Sequence, residues 1–196
     1  MKVISVTGGV GSGKSEVLQI LEREFGAEVI RADEVAHELM EPGTVCLERV
    51  VAAFGDSFLD GDGRIDRGRL AAILFSDPQA TGRMNAIVHP LVWEEIGRRI
   101  AASDRARVVV EAALFDETHN AMFDEIWYVY ASEETRVRRL MESRGYTEEK
   151  CRAIMASQAT QEEYRRAATR IIDNNGTLAE VREELKRALR ALEEGV

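Results

Sequence analysis

Cysteine is scarce in this sequence. The sequence also lacks a long apolar run and an excess of positive charge. The two cysteines, Cys46 and Cys151, have no Cys-x-x-Cys spacing and no Cys/His cluster around them. This argues against a disulfide framework or a structural zinc site, and it favours a reducing compartment. No stretch approaches the roughly 18 apolar residues that a membrane span needs, and the N-terminal apolar run is too short for a secretory signal. These absences predict a cytoplasmic protein without a membrane partner.

The charge balance is acidic, with 35 Asp and Glu residues against 26 Lys and Arg residues and a formal net charge of −9. Binding to nucleic acid relies on a basic surface, so this balance argues against a nucleic-acid partner. A polyphosphate ligand would have to be met locally, by main-chain amides and a few cationic side chains. The length of 196 residues suggests one domain, with room for an inserted subdomain.

Short β-branched runs alternate with helical patterns along the chain. Strands are predicted at 2–7, 27–31, 107–112, 126–131 and 170–173. Helices are predicted at 13–25, 133–143, 147–156, 160–168 and 178–192. Residues 33–75 also have a helical pattern, with breaks at 42–43 and 55–63. A further helical stretch follows, which Pro90 should break or kink. The alternation predicts an α/β fold, a three-layer parallel sheet covered by helices on both faces. The long helical stretch between the second and third strands is the expected substrate-binding subdomain.

One segment carries a specific chemical signature. Residues 8–15 match G-x-x-x-x-G-K-[ST] at every position, after a strand and before a helix, and so form a phosphate-binding P-loop. Its glycines let main-chain N–H groups turn inward around phosphate oxygens, and the helix N-terminus favours negative charge. Lys14 is expected to reach the β and γ phosphates of ATP, and Ser15 to bind Mg²⁺. The residues assigned to ATP binding here are Gly8, Gly9, Val10, Gly11, Ser12, Gly13, Lys14, Ser15 and Glu16.

A dinucleotide-binding fingerprint competes for the same glycines. Asp33 lies at about the right distance downstream for the acid that contacts a dinucleotide ribose. The fingerprint G-x-G-x-x-G nevertheless fails, because starting from Gly9 its sixth position is Lys14. The nucleotide triphosphate interpretation is therefore preferred.

Asp33 follows the second predicted strand. In open α/β sheets the active site lies beyond the carboxyl ends of the strands, so Asp33 is placed to orient an attacking hydroxyl or accept its proton. A structural alternative is that Asp33 caps a helix beginning at Glu34, since Asp is a preferred N-cap. The sequence leaves both roles open.

Two further charged features fit phosphoryl transfer. Glu111 follows Val108-Val109-Val110 near the end of the third predicted strand, where an acid can help hold Mg²⁺ through water. A capping or ion-paired acid is the alternative. Arg136, Arg138, Arg139 and Arg144 form a basic run on an acidic chain. A lid arginine can neutralise charge on the transferred phosphoryl group, and Arg139 is the preferred candidate. The alternative is a solvated helix face, and at least two of the four are expected to be solvated.

Six segments spread along the chain carry a family resemblance. They are Val6-Thr7-Gly8-Gly9-Val10-Gly11-Ser12-Gly13-Lys14-Ser15, Ala32-Asp33, Gly61-Asp62-Gly63-Arg64-Ile65-Asp66-Arg67, Asn85-Ala86-Ile87-Val88-His89-Pro90, Ser157-Gln158 and Ile172-Asp173-Asn174-Asn175-Gly176. In these segments the sequence resembles the dephospho-CoA kinase family, nearly end to end. The P-loop alone indicates only the superfamily, whereas His89-Pro90 and the late Ile-Asp-Asn-Asn-Gly make the resemblance specific.

The resemblance implies one P-loop kinase domain in three parts. These are a nucleotide core (about 1–32, 106–131 and 168–196), a helical CoA-binding subdomain (about 33–105) and a lid (about 132–160). It implies transfer of the ATP γ-phosphoryl group to the ribose 3′-hydroxyl of dephospho-CoA, with Mg²⁺, as the last step of coenzyme A synthesis. Asp33 would be the catalytic base, supported by Lys14 and Arg139. Asn174, Asn175 and Gly176 would lie near the adenine of ATP, and the acceptor site would be lined by His89, Pro90, Leu114, Phe115 and Asp116.

Two other functions share these motifs. Another P-loop small-molecule kinase, such as a nucleoside monophosphate kinase, would share the ATP site and differ in its acceptor pocket. A nucleotide-dependent switch would also bind ATP or GTP, although no Asn-Lys-x-Asp guanine signature occurs in the sequence. The expected partner is a small-molecule substrate, and the expected assembly is a monomer or a weak homo-oligomer.

Overall fold

The computed structural model describes residues 1–112 and 117–195. In these ranges the strands are β1 (Lys2–Thr7), β2 (Glu28–Arg31), β3 (Arg107–Glu111), β4 (Glu125–Tyr130) and β5 (Arg170–Asp173). The α-helices are α1 (Lys14–Arg23), α2 (Ala32–Leu39), α3 (Val45–Phe54), α4 (Arg67–Ser76), α5 (Ala80–Ala102), α6 (Glu133–Arg144), α7 (Glu148–Ala156), α8 (Gln161–Ala167) and α9 (Leu178–Glu194). A 3-10 helix spans Glu117–Met122. None of the described helices has the length and apolarity needed to cross a bilayer.

The chain divides into two units, and the first comprises Met1–Ile30 and Ser103–Val196. Its five-stranded sheet has the order β2-β3-β1-β4-β5, with β1 pairing in parallel with both β3 and β4, and β4 in parallel with β5. The strands are almost wholly apolar because helices cover both faces of such a sheet. Within the core, Ile4 and Val109 of the sheet pack with Leu18 of α1 and Leu185 of α9, all of them fully buried. The predicted α/β fold with a parallel sheet is confirmed.

Hydroxyl side chains set where the last four helices of this unit, α6 to α9, begin. Ser132, Thr147, Thr160 and Thr177 each precede a helix and accept a hydrogen bond from the main-chain N–H three residues on. At Thr160 and Thr177 a glutamate in the first turn returns a bond to the cap, which completes a capping box. These caps explain why helices α6 to α9 start close to the positions that the sequence predicts.

The second unit spans Arg31–Ala102 and contains α2 to α5. Its core is a cluster of buried residues that includes Val50, Phe58 and Met84. Pro90 was predicted to break or kink the helical stretch, and the break is wrong because α5 runs from Ala80 to Ala102 through it. A proline removes one N–H donor from a helix, and here buried residues on both sides of it, such as Met84 and Ile96, hold the flanking turns in place.

Glu95 provides a test of how α5 is stabilised. Its carboxylate accepts hydrogen bonds from the guanidinium groups of Arg98 and Arg99, at 2.7 to 2.8 Å, and these bonds lower its pKa from 4.5 to about 2. A lowered folded-state pKa stabilises the fold fully above about pH 4.5, and this contribution is lost as the pH falls through about 2. We therefore expect Glu95→Gln to lower the free energy of unfolding by about 1 kcal/mol at pH 7, a modest value because Arg98 is exposed.

Urea unfolding of the two proteins between pH 7 and pH 2.5 measures this difference, which should shrink below pH 4.5. Glu94→Gln is the matched control, because Glu94 is exposed and has no ion pair within the described residues. A difference between wild type and Glu95→Gln that stays constant down to pH 2.5 would contradict the assignment.

Candidate active site

The P-loop joins β1 to α1, and its conformation requires glycine. Gly8, Gly11 and Gly13 have φ values of +153°, +77° and +88°, a region that L side chains rarely adopt. Space is also lacking, since a Cβ on Gly13 would collide with the amide nitrogen of Asn174. The loop therefore takes a fixed, tightly packed path into the first turn of α1.

The carbonyl of Ser12 is held from outside the loop. It accepts hydrogen bonds from Nδ2 of Asn174 at 2.7 Å and from the Arg139 guanidinium at 3.3 Å. Closer to β1, Nζ of Lys14 donates to the carbonyl of Gly8 at 2.5 Å. Carbonyl oxygens that are engaged by protein donors cannot face an anion. The arrangement thus suits a loop that offers its N–H groups to phosphate.

Polar groups around the loop are left for a ligand. The hydroxyl oxygens of Thr7 and Ser12 are buried and have no hydrogen-bond partner among the described residues. Over the same ranges, the main-chain N–H groups of Gly11 and Gly13 also make no hydrogen bond. Buried polar groups are normally satisfied, so unsatisfied donors beside a glycine-rich turn fit the oxygens of a phosphate chain.

The four arginines of the predicted basic run divide into two pairs. Arg138 and Arg144 are exposed, and Arg144 lies over the ring of Tyr146 at 5.9 Å. Arg136 is buried, and Arg139 is half-buried against the P-loop. Burial, and to a lesser extent the nearby charge of Arg138, lowers the pKa of Arg139. Two cations of α6 are therefore directed to the phosphate loop.

The segment after β5 supports the P-loop. Asn174 is buried, and its main-chain N–H donates to the main-chain carbonyl of Tyr130 at 2.7 Å. Its carbonyl accepts a hydrogen bond from Arg139 at 2.8 Å. The side-chain oxygen of Asn175 accepts from the N–H of Ser132, also at 2.8 Å. Gly176 follows them, and a Cβ at that position would collide with the carboxylate of Glu180. This loop thus connects β5, α6 and the phosphate cradle.

Oxygen donors suited to Mg²⁺ lie at the ends of neighbouring elements. Ser15 is exposed in the first turn of α1. Glu111 ends β3, and the register of the sheet pairs it with Val6, two residues before the P-loop. A hydroxyl and a carboxylate are both ligands that Mg²⁺ accepts, so these residues fit the ion.

Three of the predicted residues belong to the second unit. Asp33 is exposed in the first turn of α2, and the N-cap of that helix is Arg31, so the alternative that Asp33 caps a helix starting at Glu34 is wrong. His89 is half-buried and Pro90 is exposed, both within α5. His89 therefore lacks the extended backbone expected before a proline. The predicted acceptor residues Leu114, Phe115 and Asp116 lie outside the described residues.

Sequence reasoning gave no role to Gln158. Its side-chain oxygen accepts a hydrogen bond from the N–H of Val10, in the middle of the P-loop, at 2.8 Å. The one signal for Gln158 was its place in Ser157-Gln158, a segment that contributes to the family resemblance but does not indicate a role for the side chain. A contact across 148 residues of sequence cannot be read from local pattern.

Comparison with known proteins gives consistent matches over nearly the whole chain. A family model described as dephospho-CoA kinase matches residues 2–180. A dephospho-CoA kinase of Thermobifida fusca is 42% identical, covering 96% of this chain and 98% of the relative. Among solved structures, one from Thermus thermophilus has a TM-score of 0.79 at 32% identity, covering 97% of this chain and 96% of that one. A dephospho-CoA kinase from Campylobacter jejuni has a TM-score of 0.72 at 25% identity, covering 100% and 99%.

Proposed function

The chain belongs to the dephospho-CoA kinase family, and from this premise we propose which of its residues carry out the reaction. Its activity is ATP-dependent phosphoryl transfer to the ribose 3′-hydroxyl of dephospho-CoA, which yields coenzyme A and ADP. The observation that carries the proposal is the P-loop, whose carbonyls at Gly8 and Ser12 are occupied by protein donors. Such a loop binds the β and γ phosphates through its amides.

Lys14 and Arg139 supply positive charge at the transferred group. As the bond between the γ phosphorus and the bridging oxygen breaks, negative charge grows on the leaving ADP and on the phosphoryl oxygens. The ammonium of Lys14 stabilises the β and γ oxygens. Arg139 donates to Ser12 and Asn174, and its remaining N–H groups can donate to the phosphoryl oxygens. Asn174, Asn175 and Gly176 are proposed to lie beside the adenine, since their loop is continuous with the cradle.

Asp33 is the proposed catalytic base. Its carboxylate accepts the proton of the 3′-hydroxyl as that oxygen forms its bond to the γ phosphorus. Support comes from chain order, because Asp33 follows β2 by two residues and active sites of such sheets lie beyond the carboxyl ends of strands. Residues 33–105 are proposed to bind the acceptor, with His89, Pro90, Leu114, Phe115 and Asp116 lining its site.

Mg²⁺ would be held by the hydroxyl of Ser15 and, through water, by Glu111. When bound, the ion neutralises charge on the β and γ phosphates. The P-loop residues still position the phosphates, and Asp33 still takes the proton. The chain is further proposed to be a cytoplasmic monomer or weak homo-oligomer. The acidic net charge supports the absence of a nucleic-acid partner.

An acceptor panel tests the function directly. The purified chain is incubated with ATP, Mg²⁺ and, in separate reactions, dephospho-CoA, nucleoside monophosphates, shikimate and gluconate. We expect rapid ADP formation only with dephospho-CoA, and a product carrying one additional phosphate by mass spectrometry. Turnover of a nucleotide or a sugar acid, but not of dephospho-CoA, would instead identify another P-loop small-molecule kinase. A well-folded sample that phosphorylates no acceptor would favour a nucleotide-dependent switch.

A further inference from the structure

Both main-chain polar groups of Val10 are held by side chains from the helical segment 132–160. Nε of Arg136, on α6, donates to the carbonyl of Val10 at 2.8 Å. Gln158, just after α7, accepts from its N–H at 2.8 Å. The side chain of Val10 packs against the cluster formed by Val137, Leu140 and Cys151. The central residue of the P-loop is thus fixed by three kinds of contact with one segment.

The charge of Arg136 is unusual for its surroundings. Its side chain lies within the fold, with the residue only 6% exposed, and its guanidinium abuts Gly9 so closely that a Cβ there would collide with it. No carboxylate forms an ion pair with it in residues 1–112 or 117–195. A buried cation without a counter-charge is costly, so its presence indicates an anion that the protein itself does not supply.

The tyrosine side chains near Arg136 do not provide a negative charge for its guanidinium. The rings of Tyr128 and Tyr164 stack there with centroids 5.0 Å apart, and the charge of Arg136 acts on both hydroxyls. Burial raises the pKa of each tyrosine, so both rings are neutral at physiological pH. The arginine therefore has a neutral aromatic wall on one side and the phosphate loop on the other.

We propose that Arg136 is a positioning residue for the phosphate loop, that it grips Val10 together with Gln158, and that the nucleotide polyphosphate provides the counter-charge of its buried guanidinium. The clamp on Val10, defined as Arg136 and Gln158, keeps the amides of the loop directed at the phosphates. It also links the segment 132–160 to the occupied state of the loop. This inference rests on the proposed function, because it requires ATP to bind at the P-loop.

The variant Arg136→Met tests the counter-charge. A residue that only stabilises the fold would lower the melting temperature of the nucleotide-free protein when replaced. We expect instead that Arg136→Met leaves that temperature unchanged or raises it, because a costly buried charge is removed. The Kd for ADP, measured by isothermal titration calorimetry, should rise about tenfold or more, since charge-assisted interactions are lost. Arg136→Lys, which keeps the charge, should recover most of the affinity.

Arg138→Met is the matched control, because Arg138 is exposed on the same helix, and it should bind ADP as the wild type does. A lower nucleotide-free melting temperature in Arg136→Met with an unchanged Kd for ADP would overturn the proposal. Wild-type protein that binds no ADP would overturn the proposed function itself. The two failures are therefore distinguishable, because the inference about Arg136 is tested by the ratio of the Kd for ADP of the variant to that of the wild type.

Gln158→Met tests the other half of the clamp. The hydrogen bond of Gln158 is exposed, so its loss should not change the melting temperature, but exchange of the Val10 amide hydrogen should become faster. The Kd for ADP should rise a few-fold. In the double variant with Arg136→Met the combined loss should be smaller than the product of the single losses, because both act through one peptide. Gln161→Met serves as the control. Fully multiplicative losses would contradict a shared clamp.

Discussion

Replacing Lys14 with Met is expected to lower kcat/KM for ATP by about a thousandfold or more. The ammonium is proposed to reach the β and γ phosphates, so its interaction with ATP should strengthen as charge develops in the transition state. ATP affinity and kcat should therefore fall together. Steady-state kinetics with varied ATP, with ADP affinity measured by calorimetry, give the two effects separately.

The control for this result is Lys186→Met, because Lys186 is partly exposed on α9 and pairs only loosely with Glu183, at 3.8 Å. Lys14→Arg retains the charge but replaces a compact ammonium with a planar guanidinium, so little activity should return. An activity of Lys14→Met within tenfold of wild type would show that the P-loop is not the phosphate site. A loss of folding, seen by circular dichroism, would have to be ruled out first.

The second large effect is expected for Asp33→Asn. Asparagine preserves the shape of the side chain but cannot accept the proton of the 3′-hydroxyl, so kcat should fall by about a hundredfold to ten-thousandfold. Binding of ADP should change by less than about threefold, because the carboxylate is proposed to act on the acceptor and not on the nucleotide. Single-turnover measurements at saturating ATP and dephospho-CoA report the chemical step directly.

Glu34→Gln is the matched control, since Glu34 is the next residue of α2 and, among the described residues, its one ion pair is a long contact with Arg31, at 3.9 Å. Its turnover should be close to that of the wild type. Near-normal single-turnover rates in Asp33→Asn would remove the base assignment while leaving the family membership intact. A large loss of ADP affinity in Asp33→Asn would instead place the residue at the nucleotide.

The sheet and its order of helices could be predicted because their signals are local. Each strand shows a short β-branched run, and the hydroxyl residues Ser132, Thr147, Thr160 and Thr177 mark helix starts that sequence patterns already contain. The P-loop was equally visible, since its glycines and Lys14 stand at fixed spacing. The helix break predicted at Pro90 is wrong, because buried neighbours in α5 outweigh one lost hydrogen bond.

The finer features of the site depend on contacts that no local pattern contains. Four arginines occur close together, but only the fold directs Arg136 and Arg139 inward and leaves the other two in solvent. The sequence also allowed two roles for Asp33, as a helix N-cap or as a catalytic base. Because α2 starts at Ala32, the N-cap role is excluded. Gln158 could not be assigned at all, because its partner Val10 lies at the other end of the chain.

The hydrogen bond from Asn174 to Ser12 has a consequence for biosynthesis. It joins residues that are 162 positions apart, and β1, at the start of the chain, pairs with β3 and β4, which are translated much later. A nascent chain on the ribosome can therefore form its second unit early, but it cannot complete the phosphate cradle until β5 and Asn174 have emerged. Pairing between such distant segments slows folding, so the phosphate-binding loop reaches its final conformation only near the end of synthesis.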